Sequence, residues 1–326
     1  MFTRRVLPAF ALILAATGLL GPSCNPPQSV PTPPAPSSQY RPFRAEGRFL
    51  RDGDGRAVFL RGINYSHLSK TRPFTSWMKE VHFDKIASLG FNSVRLLVIW
   101  EALEPNEGQF DEAYLRKLEE VVGWCEKRGI WVVVDMHQDL WAQPFGGDGA
   151  PAWMTRDDLV HPNARLEPWS LNYFTTEVMY NFDQLWQKET NQVKFRRAWL
   201  TVVRRLMKSE AVVAYDLFNE PAPGSYRPDL FENDLLEPFY SKLIAEIRTV
   251  DPDRMIWLEP AVQTSTGLPS FLSKPFAARN LAYASHFYDP IIQLGMGYQG
   301  KIPAALGYAR MQAEATLLEM PLVVGE

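Results

Sequence analysis

Asn219-Glu220-Pro221 follows an apolar run from Ala211 to Phe218, and a second glutamate, Glu326, closes the segment Pro321-Leu-Val-Val-Gly-Glu326. Two carboxylates, each ending a short β-rich segment, suit hydrolysis of a glycosidic bond. One protonates the leaving oxygen while the other attacks the anomeric carbon or activates a water. Glu220 is the candidate acid/base and Glu326 the candidate nucleophile, with Gly325 permitting close approach. Asn219 stands where it could hydrogen-bond a sugar hydroxyl. For the tripeptide alone, the opening of a helix is the competing explanation, because Glu-Pro commonly starts one.

Other polar residues interrupt apolar runs. Arg95 lies within Val94–Ile99, and a charge in a central strand must be paired or line a site. It is suited to keep the nucleophile ionised, with a structural ion pair as the alternative. Asp135, His137 and Asp139 alternate along one predicted strand and share a face. That spacing admits a metal site, but no further His or carboxylate completes one, and sugar hydroxyls suit it equally. His286 and Tyr288 form a similar pair, in which Tyr288 can contact the nucleophile. No metal or organic cofactor is implied.

Positioning these groups requires strands. Candidates are residues 58–65, 93–100, 130–137, 212–219, 255–260, 281–287 and 322–325, with β-branched and aromatic content suited to buried parallel strands. Helical patterns alternate with them at 83–89, 112–127, 193–207, 235–249 and 304–319. Gly90 and Gly129 stand where helix-closing glycines belong. The alternation predicts right-handed crossovers and a (β/α)8 TIM barrel with its active site at the C-terminal strand ends. A doubly wound sheet is disfavoured, because Gly62-Ile-Asn-Tyr65 offers a single glycine where a phosphate loop would sit. The eighth strand and its helix are missing, so the expectation is an incomplete barrel belonging to a longer protein. The long connection from His137 to about Val193 is rich in Trp, Phe, Gly and Pro, and such excursions tend to bind substrate.

Composition agrees. Of 326 residues, 46% are apolar, enough for one large domain. A net charge of −3 disfavours a nucleic-acid surface. Aromatic residues reach 13%, with 10 Trp, and flat rings suit sugars as well as cores. Residues 1–21 read as an export signal: Arg4 and Arg5 precede an apolar stretch, Val6–Leu20, too short to span a bilayer comfortably. Residues 22–42 hold eight prolines and form an extended tether. The barrel domain takes residues 43–326. Cys24 is placed where bacterial lipoproteins are acylated, although the usual preceding Leu is missing. Pairing of Cys24 with Cys125 in a predicted helix is not expected.

With both glutamates placed, the chain resembles glycoside hydrolase family 5. The matching residues are Phe218-Asn-Glu-Pro221, Arg95, His137, His286-Phe-Tyr288 and Gly325-Glu326. Within that family Asp135–Trp141 and Gly146–Trp153 are similar to signature loops of endoglycoceramidases. Ser69–Phe74 resembles a loop that places a lysine, here Lys70, on the glycan. The resemblance implies that Asp139 grips the sugar of the first subsite. It also implies a retaining enzyme that cuts the β-glucosyl bond between an oligosaccharide and ceramide. Trp141, Phe145, Trp153 and Met154 are then expected to form an apolar slot for the lipid. The alternatives are an endo-β-glucanase or mannanase of the same family, and an inactive carbohydrate-binding protein. Association with a membrane surface, through the substrate or a lipidated Cys24, accompanies the glycolipid reading.

Overall fold

The computed structural model describes residues 43–65, 70–158, 166–273, 275–293, 296–298, 300 and 302–326. The predicted signal segment (1–21), the proline-rich tether (22–42), Cys24 and Ser69 lie outside the described residues. Among those described, no helix is long and apolar enough to cross a membrane.

All seven expected strands form one parallel sheet: β3 (Gly62–Tyr65), β4 (Ser93–Ile99), β5 (Trp131–His137), β6 (Val212–Asp216), β7 (Met255–Leu258), β8 (Leu281–Ser285) and β9 (Leu322–Val324). Their spatial order is their chain order, β3 to β9. A doubly wound sheet would reverse direction at a switch point, so this is barrel topology. The flanking strands approach each other: the Asn64 carboxamide on β3 donates to the Gly325 carbonyl beyond β9 at 3.1 Å.

Period-two alternation sorts the side chains. On β5, Val132, Val134 and Met136 pack outward against helices, whereas Val133 faces the interior with Met255, Trp257, Ala282 and Val323. An element the sequence pattern did not predict plugs that interior. β1 (Arg44–Glu46) and β2 (Phe49–Arg51) pair antiparallel, and Phe43 and Leu50 join the interior cluster. Phe43 meets the Trp131 ring edge-on at 4.8 Å. Asn280 pins the segment by donating to Phe43 O at 2.8 Å and accepting from Ala45 N at 2.8 Å.

The outer layer comprises α1 (Glu80–Ser88), α2 (Trp100–Leu103), α3 (Glu112–Glu126), α4 (Thr176–Gln187), α5 (Glu189–Leu206), α6 (Pro228–Phe231), α7 (Glu237–Arg248), α8 (Pro290–Gln293) and α9 (Ile302–Leu317). Asp111 caps α3 by accepting from Ala113 N and Tyr114 N. Gly90, just past α1, takes φ = 82°, as a closing glycine must. The long connection after His137 is more structured than its composition suggests. It holds α4, whose Val178, Phe182, Leu185 and Trp186 are buried along one face. Free Cys125 is buried in α3, where burial pushes its thiol up to about 12.

Candidate active site

The strand ends converge on Arg95. Its inward position on β4 spends all three guanidinium nitrogens on acceptors from other elements. Nε donates to Asp216 at 2.9 Å, Nη1 to Glu326 at 2.6 Å, and Nη2 to both Asn219 and Glu259 at 2.8 Å. Asp135 lies 3.2 Å from the same cation. Removing one partner from so buried an array would leave an uncompensated charge.

Glu326 extends from β9 into this array. One carboxylate oxygen accepts from Arg95 and the other from the Tyr288 hydroxyl at 2.6 Å. Burial pushes its carboxyl up, but the charges of His286, Arg95 and His137, with the Tyr288 hydrogen bond, outweigh this and hold it at about 2. It is therefore ionised at any ordinary pH.

Glu220 behaves oppositely. Burial raises its carboxyl above the ordinary value, only partly offset by His286, whose Nδ1 sits 3.0 Å from Oε1. Glu220 opens no helix: it lies in the loop after β6 at φ = 44°. Few non-glycine residues adopt that conformation, and those that do tend to cluster at functional sites. Three contacts hold it there. Gln138 Nε2 donates to the carbonyls of Asn219 and Glu220, at 2.8 and 3.0 Å, and Glu259 accepts the Glu220 amide at 2.7 Å. Two carboxyls in one cluster with pKa values driven apart can divide the roles of acid and nucleophile between them.

A second part of the site comes from the β5 loop. β5 ends at His137, so Asp139 lies beyond the strand and not on it as the alternation suggested. Asp139 instead pairs antiparallel with Asp148, by amide bonds of 3.0 and 2.8 Å. A Cβ on Gly147 would meet the Asp139 carbonyl at 1.7 Å, so this approach requires glycine. Lys70 donates to Asp139 and lies 3.4 Å from Asp148. Burial drives Asp148 up to about 7, whereas His137 and Lys70 overcome burial at Asp139 and lower it. His137 Nδ1 sits 2.7 Å from Asp135. Burial opposes its protonation, but the Asp135 charge prevails and raises it to about 10.

The predicted residues Arg95, His137, Asp139, Lys70, Asn219, Glu220, His286, Tyr288 and Glu326 are thus connected through hydrogen bonds and ion pairs in one cluster at the strand ends. Asn219 is also a structural residue. It is buried, its oxygen accepts from Arg95 and its amide donates to Gln138 O at 2.9 Å. Its side chain therefore anchors the loop.

The expected lipid slot is a misreading. Trp141, Phe145 and Met154 are buried in the main core, with Trp141 edge-on to Phe182 at 5.2 Å. Trp153 packs against Trp100 and donates to Glu104 O at 2.8 Å. Apolar loop side chains look alike in sequence whether they line a groove or fill a core. Reasoning from sequence also missed Asn64, Gln138, Asp148, Asp216 and Glu259. Asp216 and Glu259 were detectable, since each carries a charge at the end of an apolar strand run. The acid clusters His137/Asp139/Asp148 and Asp135/Asp216/Glu259 have metal-like spacing, yet Lys70 and Arg95 already supply a cation to them.

Barrel topology with two carboxyls of opposite pKa shift at the strand ends is the arrangement of a barrel glycoside hydrolase. The chain belongs to the Cellulase family, glycosyl hydrolase family 5, which it matches over residues 52–326. It is 29% identical over 298 residues to Endoglycoceramidase I of Rhodococcus hoagii (strain 103S), covering 86% of this chain and 59% of that protein. It therefore spans about three-fifths of that relative's length. Solved structures of endo-glycoceramidase II from Rhodococcus sp. are also similar. The five-membered iminocyclitol complex has 33% identity and a TM-score of 0.76, covering 85% of this chain and 67% of that one. The ganglioside GM3 complex has 32% identity and a TM-score of 0.77, covering 84% and 68%.

Proposed function

We propose that this chain carries the catalytic barrel of a retaining β-glycosidase that cuts between the oligosaccharide and the ceramide of glycosphingolipids. The observation that carries this reading is the opposed pair: Glu220, its carboxyl raised by burial, and Glu326, held ionised by His286, Arg95 and Tyr288. Glu220 gives its proton to the glycosidic oxygen as Glu326 attacks the anomeric carbon. The C–O bond to the lipid breaks and a glycosyl ester forms. Glu220 then takes a proton from water, which attacks the ester and frees the sugar with its configuration retained. Lys70, Asp139 and His137 grip the first sugar.

The ceramide choice is supported by the relatives named above. It is also supported by the loop after β5, where Leu166, Trp169, Leu171 and Phe174 expose apolar surface suited to a membrane-embedded substrate. Thin-layer chromatography of products from gangliosides and from soluble β-glucans tests it. Release of intact oligosaccharide from gangliosides is expected. Cleavage of glucans alone would assign an endo-glucanase or mannanase, and binding without cleavage would assign a carbohydrate-binding protein.

Export is part of the proposal, supported by Val6–Leu20 behind Arg4 and Arg5, with Cys24 as a site of lipid attachment. Incorporation of labelled palmitate that disappears in Cys24→Ser is the expected result, and label persisting in that variant would remove the attachment.

A further inference from the structure

We propose that Glu259 is a positioning residue that clamps the acid/base Glu220 twice, once through its backbone amide and once through the His286 ring. This inference rests on the assignment of Glu220 as acid/base and adds to it the group that holds it.

Glu259 follows β7 and is buried, 1% exposed. Its backbone is tied to α7, where the Tyr240 hydroxyl donates to its carbonyl at 3.0 Å. One carboxylate oxygen, Oε2, accepts the Glu220 amide at 2.7 Å. The other, Oε1, accepts from Arg95 at 2.8 Å and lies 3.2 Å from His286 Nε2. The opposite ring nitrogen of His286 is 3.0 Å from Glu220 Oε1. Main chain, carboxylate, imidazole and acid side chain thus close a ring around the residue at φ = 44°.

Both His286 nitrogens lie beside carboxyl oxygens: Nδ1 is 3.0 Å from Glu220, and Nε2 is 3.2 Å from Glu259 as an ion pair without hydrogen-bond alignment. Flanking negative charge favours the imidazolium. Burial opposes that charge, but Glu259 and then Glu220 raise His286 well above its ordinary value. When Glu220 surrenders its proton, the imidazolium it faces stabilises the carboxylate left behind, and Glu259 keeps that imidazolium charged. The other charged groups acting on this ring are Arg95 on β4, Asp216 on β6 and Glu326 beyond β9. Asp139, Tyr173 and Tyr288 act on the Glu220 carboxyl it faces. In Glu259→Gln an oxygen remains for the Glu220 amide, but the charge is gone. Glu326 loses the imidazolium and titrates at higher pH. Glu220 loses both the imidazolium that lowers it and the weaker Glu259 charge that raises it, and the nearer imidazolium decides the direction, again upward.

The test combines 15N-histidine NMR with the pH profile of kcat/KM on an aryl β-lactoside, for wild type and Glu259→Gln. His286→Gln assigns the resonance. In wild type the His286 ring is expected to stay doubly protonated at pH about 8. In Glu259→Gln it becomes neutral there, and both limbs of the profile move upward by roughly one unit or more. A merely structural Glu259 would lower activity without moving either limb, and that result overturns the clamp. A neutral His286 in wild type overturns it too, and this readout stands even if Glu259→Gln fails to fold. A folded wild type with the expected imidazolium but no turnover would support the clamp and reject the hydrolase assignment.

Discussion

Glu220 and Glu326 differ in what surrounds them, not in chemistry, and that difference sets their pH behaviour. Glu326 must be ionised to attack and is held at about 2. Glu220 must be protonated to donate, and burial raises it above the ordinary carboxyl value. The profile of kcat/KM should therefore stay high well into acid. It should fall on the alkaline side as pH passes the raised Glu220 pKa. Glu220→Gln should lower kcat on an unactivated glycoside by about 10²–10⁴-fold, the span of general acid–base catalysis, and abolish the alkaline limb. A variant retaining that limb would move the acid to another residue.

At the scale of elements, the site depends on strands held in register and a bottom kept closed. Asn280, at φ = 58°, suits the left-handed conformation that Asn tolerates. Its side chain also satisfies Phe43 O, Asp253 O and Ala45 N, so it fastens the β1–β2 plug across the interior. Asn280→Ala should cost about 1–3 kcal/mol, read as a lower urea midpoint, with kcat little changed because the plug lies at the end of the barrel away from the catalytic loops. Unchanged stability would show that the plug is held by Phe43 and Leu50 packing alone. The barrel strands were legible because their β-branched runs end in polar residues. The plug was not, because three-residue strands leave no periodic signal. α4 was hidden in a connection whose Trp and Gly content reads as loop, although Val178, Phe182 and Leu185 keep helical spacing. Glu259 was detectable as a charge ending the β7 run, but a strand end alone does not reveal that its carboxylate reaches the Glu220 amide beyond the neighbouring strand β6.

At the scale of the whole molecule, buried imidazolium ions couple the site to stability. His137 is raised to about 10 from an ordinary 6.5. Its pairing with Asp135 therefore contributes fully below about 6.5 and is lost as pH climbs toward 10. The melting temperature should fall over that window, and His137→Asn should flatten the fall; an equally steep decline in the variant would assign the loss elsewhere. Substrate presentation belongs to this scale as well. Trp169 and Phe174 are 43% and 62% exposed on the long loop after β5, far more than packing alone would leave. Trp169→Ser with Phe174→Ser should reduce cleavage of ganglioside in vesicles several-fold while sparing a soluble aryl β-lactoside. Equal loss on both substrates would make these residues structural.

A fluorosugar trap would test the pairing of the two carboxylates most directly. An activated 2-deoxy-2-fluoro-β-lactoside lets the first step occur and stalls the second, so the attacking residue stays esterified and peptide mass spectrometry locates it. The predicted result is a single fluorolactosyl adduct on Glu326, absent from Glu326→Gln and slow to form in Arg95→Met. An adduct on any other carboxylate, or turnover of the aryl glycoside with no adduct, would contradict Glu326 as the nucleophile opposite Glu220.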